Sequence, residues 1–228
     1  VGTSSTAASG APAGGGSADM PRGDFVFLGS FEWGERKQPE LLLTAFNRTF
    51  RASEPVLLLC KVMNRDPGVR LTELVARLKL SPSGGRVAFL HNRELPYHQL
   101  GVLYRSADCY VSAGRGEGWD MPLMEAMACG LPSIATDWGA HTEFVHDGIS
   151  WPLRVRGTVP AVAKCPYYAG FSWADPDPEH LTHLLRHVYE NREEAAEKGR
   201  AAAVEMQERW TWRHAARRIV ERLDARTE

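Results

Sequence analysis

Short apolar runs alternate with amphipathic segments along most of the chain. Each run is bounded by polar residues, Gly or Pro, which is typical of a buried strand. The predicted strands are residues 25–28, 56–60, 87–90, 109–111 and 133–135. The predicted helices between them are residues 41–46, 71–80 and 95–106, with a fourth that ends near Gly130. This alternation predicts an α/β fold, in which a parallel sheet carries helices on both faces.

The pattern changes in the last third of the chain. Residues 154–173 are rich in Pro, Gly and aromatic residues and are predicted to form an ordered loop. Residues 178–199 and 214–223 have helical periodicity, and each segment is predicted to be one helix. The apolar positions that define these helices are Leu181, Leu184, Leu185 and Val188 in the first, and Ala215, Ile219 and Leu223 in the second. Trp210 and Trp212 are predicted to lie in the core.

Residues 1–22 are predicted to be a flexible linker. They are dominated by Gly, Ser and Ala and have no apolar pattern that could bury a core. The folded domain is therefore predicted at residues 23–228. Because the chain begins with Val1 and not with Met, we expect it to be part of a longer protein.

Composition limits the classes of function. The 228 residues include 27 Lys and Arg and 28 Asp and Glu, a formal net charge of −1, so the basic excess typical of nucleic-acid binders is absent. No apolar run approaches the length of a transmembrane helix. The four cysteines form no C-x-x-C pair, and they are Cys60, Cys109, Cys129 and Cys165. We expect reduced thiols and a cytoplasmic location, and peripheral membrane attachment through another part of the protein stays open.

The densest chemistry lies around the predicted start of the fourth helix. Glu117 and Glu125 lie on either side of that start, and Gly118 lets the backbone approach a ligand closely. The first-turn amides of a helix have no partner within the helix and attract anions. The amides of residues 119–121 could therefore bind a phosphate while the two carboxylates bind hydroxyl groups on either side of it. A nucleoside diphosphate sugar has this layout.

The segment from Glu117 to Gly130, with its Pro122 and the following Gly130-x-Pro132, resembles the Glu-x7-Glu signature of the retaining glycosyltransferases of family 4. The resemblance covers about residues 25–223. It implies the GT-B fold, in which two Rossmann-like domains face each other. It further implies that this chain is the C-terminal, donor-binding domain, and that an N-terminal acceptor-binding domain is its partner.

The resemblance also implies roles for residues of this helix start. Glu117 would contact the donor sugar, and Glu125 would bind the ribose hydroxyls. Gly118 and the amides of Trp119, Asp120 and Met121 would hold the diphosphate. The family's commoner pattern has a second glycine where Asp120 stands. We expect Asp120 either to repel the diphosphate or to cap the helix by accepting a backbone N–H, which would compete with phosphate for the same donors.

Two further segments resemble the family's donor site. The loop after the first strand carries Arg36 and Lys37, which would neutralise the diphosphate without a metal, and Ser30 stands where the family has an arginine. The alternative for the basic pair is a solvated surface position. The loop after the third strand would hold the nucleobase, largely through its backbone, and its candidate residues are Asn92, Arg93 and Leu95. A plain surface loop is the alternative there. The Gly139–Glu143 segment resembles another family element near the donor.

The sequence therefore predicts a glycosyltransferase that moves a hexose from a nucleoside diphosphate sugar to a hydroxyl of a glycan, lipid or small molecule. Catalysis would rest on Glu117, Arg36 and Lys37, with no metal and no cofactor other than the donor substrate. The alternative is a nucleotide-sugar-binding or interaction module without catalysis of its own.

Overall fold

A computed structural model describes residues 23–64, 66, 68, 70–161 and 166–225. The predicted linker and Cys165 lie outside the described residues. The strands are β1 (Phe25–Phe31), β2 (Val56–Val62), β3 (Arg86–His91), β4 (Cys109–Ser112), β5 (Ser133–Thr136), β6 (Trp151–Leu153), β7 (Val155–Pro160) and β8 (Ser172–Pro176). The α-helices are α1 (Pro39–Thr49), α2 (Leu71–Arg77), α3 (Tyr97–Arg105), α4 (Met121–Ala128), α5 (Pro178–Glu190), α6 (Arg192–Arg209) and α7 (Trp212–Asp224). All five predicted strands and the first four predicted helices are confirmed, with ends shifted by a few residues.

Six of the strands form one parallel sheet in the order β3-β2-β1-β4-β5-β6. Strand β1 is central: Phe25 pairs with Val56 on one side, and Phe27 pairs with Cys109 on the other. This is the doubly wound, Rossmann-like order, and the predicted fold class is confirmed. Because the chain leaves β1 and β4 in opposite directions, a crevice opens at their carboxyl ends, where such sheets bind ligands.

Burial on both faces explains why the strands are continuous apolar runs. Alternate β1 residues face opposite layers. Phe27 packs in the layer that contains α1 and α5, whereas Leu28 packs in the layer that contains α4 and part of α6. Both side chains are fully buried, and each stabilises the fold by roughly 1.5–3 kcal/mol relative to an exposed position. The second of these layers buries α4 against the sheet through Leu123, Ala126 and Met127.

The predicted loop at residues 154–173 is wrong. Strand β7 lies at the start of this segment and β8 begins at its end. The two strands pair antiparallel, with Thr158 opposite Ala174 and Val159 opposite Trp173. Trp173 and Ala174 are buried, but most of β7 is exposed or half-buried. An exposed strand that includes Gly157 has no apolar run, so the pattern was missed.

The single helix predicted at residues 178–199 is also wrong, because it is two helices. Asn191 leaves helical geometry with φ −114° and ψ 61°, and its side-chain amide donates to the carbonyl of His187 at 2.8 Å. This side-chain bond offers the backbone an alternative to continuing the helix. The four predicted inward positions, Leu181, Leu184, Leu185 and Val188, are confirmed as buried.

The last predicted helix is confirmed as α7, but its apolar side chains are exposed. Ile219 and Leu223 are each 61% exposed. Trp212 is 80% exposed, so its predicted place in the core is wrong, whereas Trp210 is half-buried against Trp119 and Phe144. Across the part of the chain that the structure describes, no helix is both long and apolar enough to span a bilayer.

The contact between α4 and α6 has no room for an extra methyl group. A Cβ on Gly199 would overlap the carbonyl oxygen of Gly130 and lie 3.0 Å from Cδ of Pro132. We predict that Gly199→Ala lowers the free energy of unfolding by about 1–3 kcal/mol, measured by urea denaturation. Gly157→Ala is the matched control, because a Cβ there meets nothing within 4 Å, and its effect should stay within about 0.5 kcal/mol. Equal stability of the two variants would contradict the close packing of α6 on the end of α4.

Candidate functional site

The candidate site lies at the crevice between the carboxyl ends of β1 and β4. Two loops meet there, residues 32–38 after β1 and residues 113–120 after β4. The amide of Arg115 donates to the carbonyl of Arg36 at 2.7 Å, and the Arg36 guanidinium donates to the carbonyl of Gly116 at 2.7 Å. These bonds hold the two loops against each other at the point that the sheet order singles out.

Glu117, Arg36 and Lys37 form an ion cluster at this junction. The Glu117 carboxylate lies 2.8 Å from Nη1 of Arg36 and 2.7 Å from Nζ of Lys37. The Glu117 side chain is 6% exposed, whereas those of Arg36 and Lys37 are 34% and 20% exposed. The cluster carries one net positive charge, and its cations are open to solvent on one side. It can therefore attract an anion while the carboxylate stays fixed.

The backbone of Glu117 contacts the segment that begins at Gly139. The amide of Ala140 donates to the carbonyl of Glu117 at 3.3 Å. Gly139 has φ +65°, and a Cβ there would lie 3.2 Å from that carbonyl. The Gly139–Glu143 segment thus supports the Glu117 loop through its backbone, while the Glu143 side chain is exposed.

The start of α4 has no side-chain cap. Gly118 precedes it, and a Cβ at Gly118 would meet nothing within 4 Å. The Trp119 ring packs on Phe144, and its indole N–H donates to Sδ of Met124 at 3.3 Å. This start has the geometry that attracts anions to helix N-termini.

The Asp120 side chain does not cap α4, so that expectation is wrong. Its carboxylate is buried and accepts hydrogen bonds from Ser112 at 2.5 Å and from His141 at 3.1 Å. The backbone reason is φ 69° and ψ 65°, a left-handed conformation that costs a non-glycine residue about 1–2 kcal/mol. A residue in this conformation turns its side chain away from the first-turn amides, and a glycine would adopt it without strain.

The protonation state of Asp120 follows from its partners. Burial alone would raise the pKa of this carboxyl, but the hydrogen bonds from His141 and Ser112 and the charge of Lys37 outweigh burial and leave the pKa below its usual value. Asp120 is therefore an ionised carboxylate inside the protein. Ser112 is a member of the site that the sequence did not single out. His141 lies in the Gly139–Glu143 segment that resembles a family element near the donor, but its contact with Asp120 was not predicted.

Glu125 lies one turn into α4 and is already oriented. Its carboxylate accepts a hydrogen bond from the hydroxyl of Tyr104 at 2.8 Å. Burial and the neighbouring Glu125 raise the pKa of Tyr104 well above its usual value, so this hydroxyl remains a donor. Glu125 and Glu117 thus lie on either side of the α4 start, as the sequence predicts.

The remaining predicted residues occupy two places along the same sheet edge. Ser30 is half-buried at the end of β1 and lines a small cavity with Lys37, Ser112 and Gly114. Asn92 follows β3, two strands from β1, and its side chain accepts from the amide of Asn64 at 2.7 Å.

The other two candidates in the loop after β3 are Arg93, which is exposed, and Leu95, which is half-buried. This loop therefore lies at the carboxyl edge of the sheet, two strands away from β1 and apart from the ion cluster. Within the described ranges, no group of three or more His, Cys, Asp or Glu residues could hold a metal ion.

Fold and site together define a doubly wound α/β domain with an ion cluster of Glu117, Arg36 and Lys37 in the crevice at its topological switch point. Residues 22–166 match the model of the family described as glycosyl transferases group 1, and the chain belongs to that family.

Curated relatives support the same family. The chain is 27% identical over 160 residues to the D-inositol 3-phosphate glycosyltransferase of Frankia alni, and 35% identical over 130 residues to that of Geodermatophilus obscurus. These matches cover 60% and 55% of this chain but 39% and 28% of the relatives. The chain therefore spans less than half the length of these relatives.

Solved structures confirm the fold. HepE from Anabaena, solved with UDP and glucose, superposes with a TM-score of 0.65 at 18% identity, covering 89% of this chain and 49% of HepE. The C-terminal domain of the group 1 glycosyltransferase LpcC from Francisella tularensis superposes with a TM-score of 0.59 at 17% identity, covering 82% of this chain and 87% of that domain.

Proposed function

We propose that this chain is the donor-binding domain of a retaining glycosyltransferase that transfers a hexose from a nucleoside diphosphate sugar to an acceptor hydroxyl. The observation that carries the proposal is the ion cluster of Glu117, Arg36 and Lys37 beside the uncapped first turn of α4. It combines positive charge, free backbone donors and a fixed carboxylate within one crevice.

The diphosphate would bind between the cations and the helix. The amides of Trp119, Asp120 and Met121 would donate to one phosphate, and Arg36 and Lys37 would bind the charge that grows as the sugar leaves. Both cations are already held by Glu117, so they need little reorganisation. Two fixed cations support our expectation that the reaction needs no metal.

Glu117 would contact hydroxyl groups of the donor sugar. Its carboxylate is buried and paired with both Arg36 and Lys37. It can therefore orient the sugar and stabilise positive charge that develops at the anomeric carbon. Attack by the acceptor from the face that the diphosphate leaves would keep the anomeric configuration, and the leaving phosphate would help to remove the acceptor's proton.

Glu125 and the loop after β3 would bind the nucleoside. The Glu125 carboxylate, held by Tyr104, has free acceptor capacity for two ribose hydroxyls. Asn92, Arg93 and Leu95 would frame the base, in keeping with the position of ligands along the carboxyl edge of such sheets.

The comparisons support this proposal at the level of the family. The curated relatives are D-inositol 3-phosphate glycosyltransferases, and HepE was solved with UDP and glucose. The LpcC domain that matches nearly end to end is a C-terminal domain of the family. We therefore propose that an N-terminal acceptor-binding domain completes the enzyme and presents a glycan, lipid or small molecule, in the cytoplasm or at a membrane surface.

The alternative is a binding module without catalysis. One argument for it is an aspartate beside the diphosphate site, where its charge would repel the ligand. The Asp120 carboxylate is instead buried against Ser112 and His141, so that argument loses its force. The positions of Glu117, Arg36 and Lys37 favour the enzyme.

We predict that this chain binds one of UDP, GDP and ADP, measured by titration calorimetry. Glu125→Ala should weaken that binding by about tenfold or more, because it removes a charged acceptor from two ribose hydroxyls. Glu197→Ala is the matched control, since Glu197 is an exposed carboxylate on α6. Binding of none of the three nucleotides would contradict the donor-domain proposal.

We predict that Glu117→Ala in the complete enzyme lowers the turnover number by about 100-fold or more while the protein stays folded. The reason is the loss of the carboxylate that orients the sugar. Steady-state transfer with the cognate sugar donor measures the effect, and circular dichroism checks the fold. Turnover equal to that of a Glu197→Ala enzyme would remove Glu117 from the mechanism.

A further inference from the structure

His141 is a buried histidine with a hydrogen-bond acceptor at each ring nitrogen. Its side chain is 1% exposed. Nδ1 lies 2.8 Å from the backbone carbonyl of Thr136, and Nε2 lies 3.1 Å from Oδ2 of Asp120. The chain brings these groups together from three places: the end of β5, the residue before α4 and the short 3-10 turn at Gly139–Glu143.

The two acceptors determine how many protons the imidazole carries. A carbonyl oxygen can only accept, so Nδ1 donates to Thr136. Asp120 is an ionised carboxylate that already accepts from the hydroxyl of Ser112, so Nε2 donates as well. A neutral imidazole has one N–H group, so making both contacts as a donor takes a proton on each ring nitrogen.

This pair acts on the residue that sets the direction of α4. Asp120 has left-handed backbone geometry and immediately precedes Met121, the first residue of the helix. A non-glycine residue leaves that conformation readily unless its surroundings hold it. The hydrogen bonds from His141 and Ser112 to the Asp120 side chain supply that restraint.

We propose that His141 is a positioning residue for the donor diphosphate: by donating from both ring nitrogens it holds Asp120 in its left-handed conformation and so aims the first-turn amides of α4 at the diphosphate. The inference rests on the proposed donor function. His141 does not contact the ligand, and it acts only through Asp120.

Core packing is the competing explanation, since the His141 ring lies 6.0 Å from the ring of Phe144. The two explanations differ in what a second substitution does. Glycine at position 120 adopts left-handed geometry without a restraint. It should therefore make His141 dispensable for diphosphate binding, but it cannot restore lost packing.

The test compares affinities of the whole 228-residue chain for whichever of UDP, GDP and ADP it binds and for the matching nucleoside. His141→Asn should weaken the nucleoside diphosphate by about tenfold, the effect of losing a hydrogen bond to a charged group, and leave the nucleoside within about twofold. His141→Gln, whose amide can still donate to Asp120, should lose less. His146→Asn is the matched control, because the His146 side chain is exposed and pairs with Glu205 of α6.

The deciding variant is Asp120→Gly combined with His141→Asn. Recovery of diphosphate affinity in this double variant is the expected result. Equal losses for diphosphate and nucleoside in His141→Asn, or no recovery in the double variant, would overturn the proposal. If the unaltered chain binds none of the three nucleotides, the donor function itself fails.

A second measurement needs neither a variant nor a ligand. Nitrogen-15 NMR of the unaltered chain at neutral pH should show a proton on both ring nitrogens of His141. One unprotonated nitrogen would overturn the proposal even if the donor function holds or if His141→Asn does not fold.

Discussion

The crevice between β1 and β4 is the constraint on which the site depends. A doubly wound sheet must turn its crossovers to opposite faces at one point, and here that point lies between the two central strands. The loops that leave these strands have no strand between them, so they can meet. The ion cluster and two backbone bonds join them, and α4 begins where they end. The layer on one face of the sheet then buries α4.

The backbone conformation of Asp120 links the two loops of the crevice to the start of α4. Asp120 has left-handed geometry, and its carboxylate bonds to Ser112 and His141 and not to the amides at the start of α4. A residue that looks unfavourable beside a phosphate is thus held by side chains of the protein itself. Inside the protein the Asp120 carboxylate is paired with the Ser112 hydroxyl and the His141 ring.

Much of the fold could be predicted from the sequence because the sheet is buried on both faces. Strands such as β2, in which residues 56–60 are all apolar, can then be recognised without tertiary information. The β7–β8 pair could not be found this way, since β7 is largely exposed and its pairing depends on β8 beyond an intervening segment. The break at Asn191 depends on a local side-chain bond that periodicity does not register.

Some residues of the candidate site could likewise be predicted from the sequence, and others could not. Glu117 and Glu125 are recognisable because their spacing around a helix start has a chemical meaning, and Arg36 and Lys37 because they follow a central strand. His141 is 21 residues from Asp120, and its role depends on tertiary contact alone. Trp212 shows the converse error: an aromatic residue suggested burial, but the described structure leaves it exposed.

The central claim is that the first turn of α4 and the ion cluster together hold a diphosphate. The most direct measurement is an amide NMR titration of this chain with the nucleoside diphosphate that it binds and, in parallel, with the matching nucleoside. The account predicts that the amide signals of Trp119, Asp120 and Met121 shift with the diphosphate and change far less with the nucleoside. Diphosphate binding that leaves these three amides unchanged and shifts signals elsewhere would contradict it.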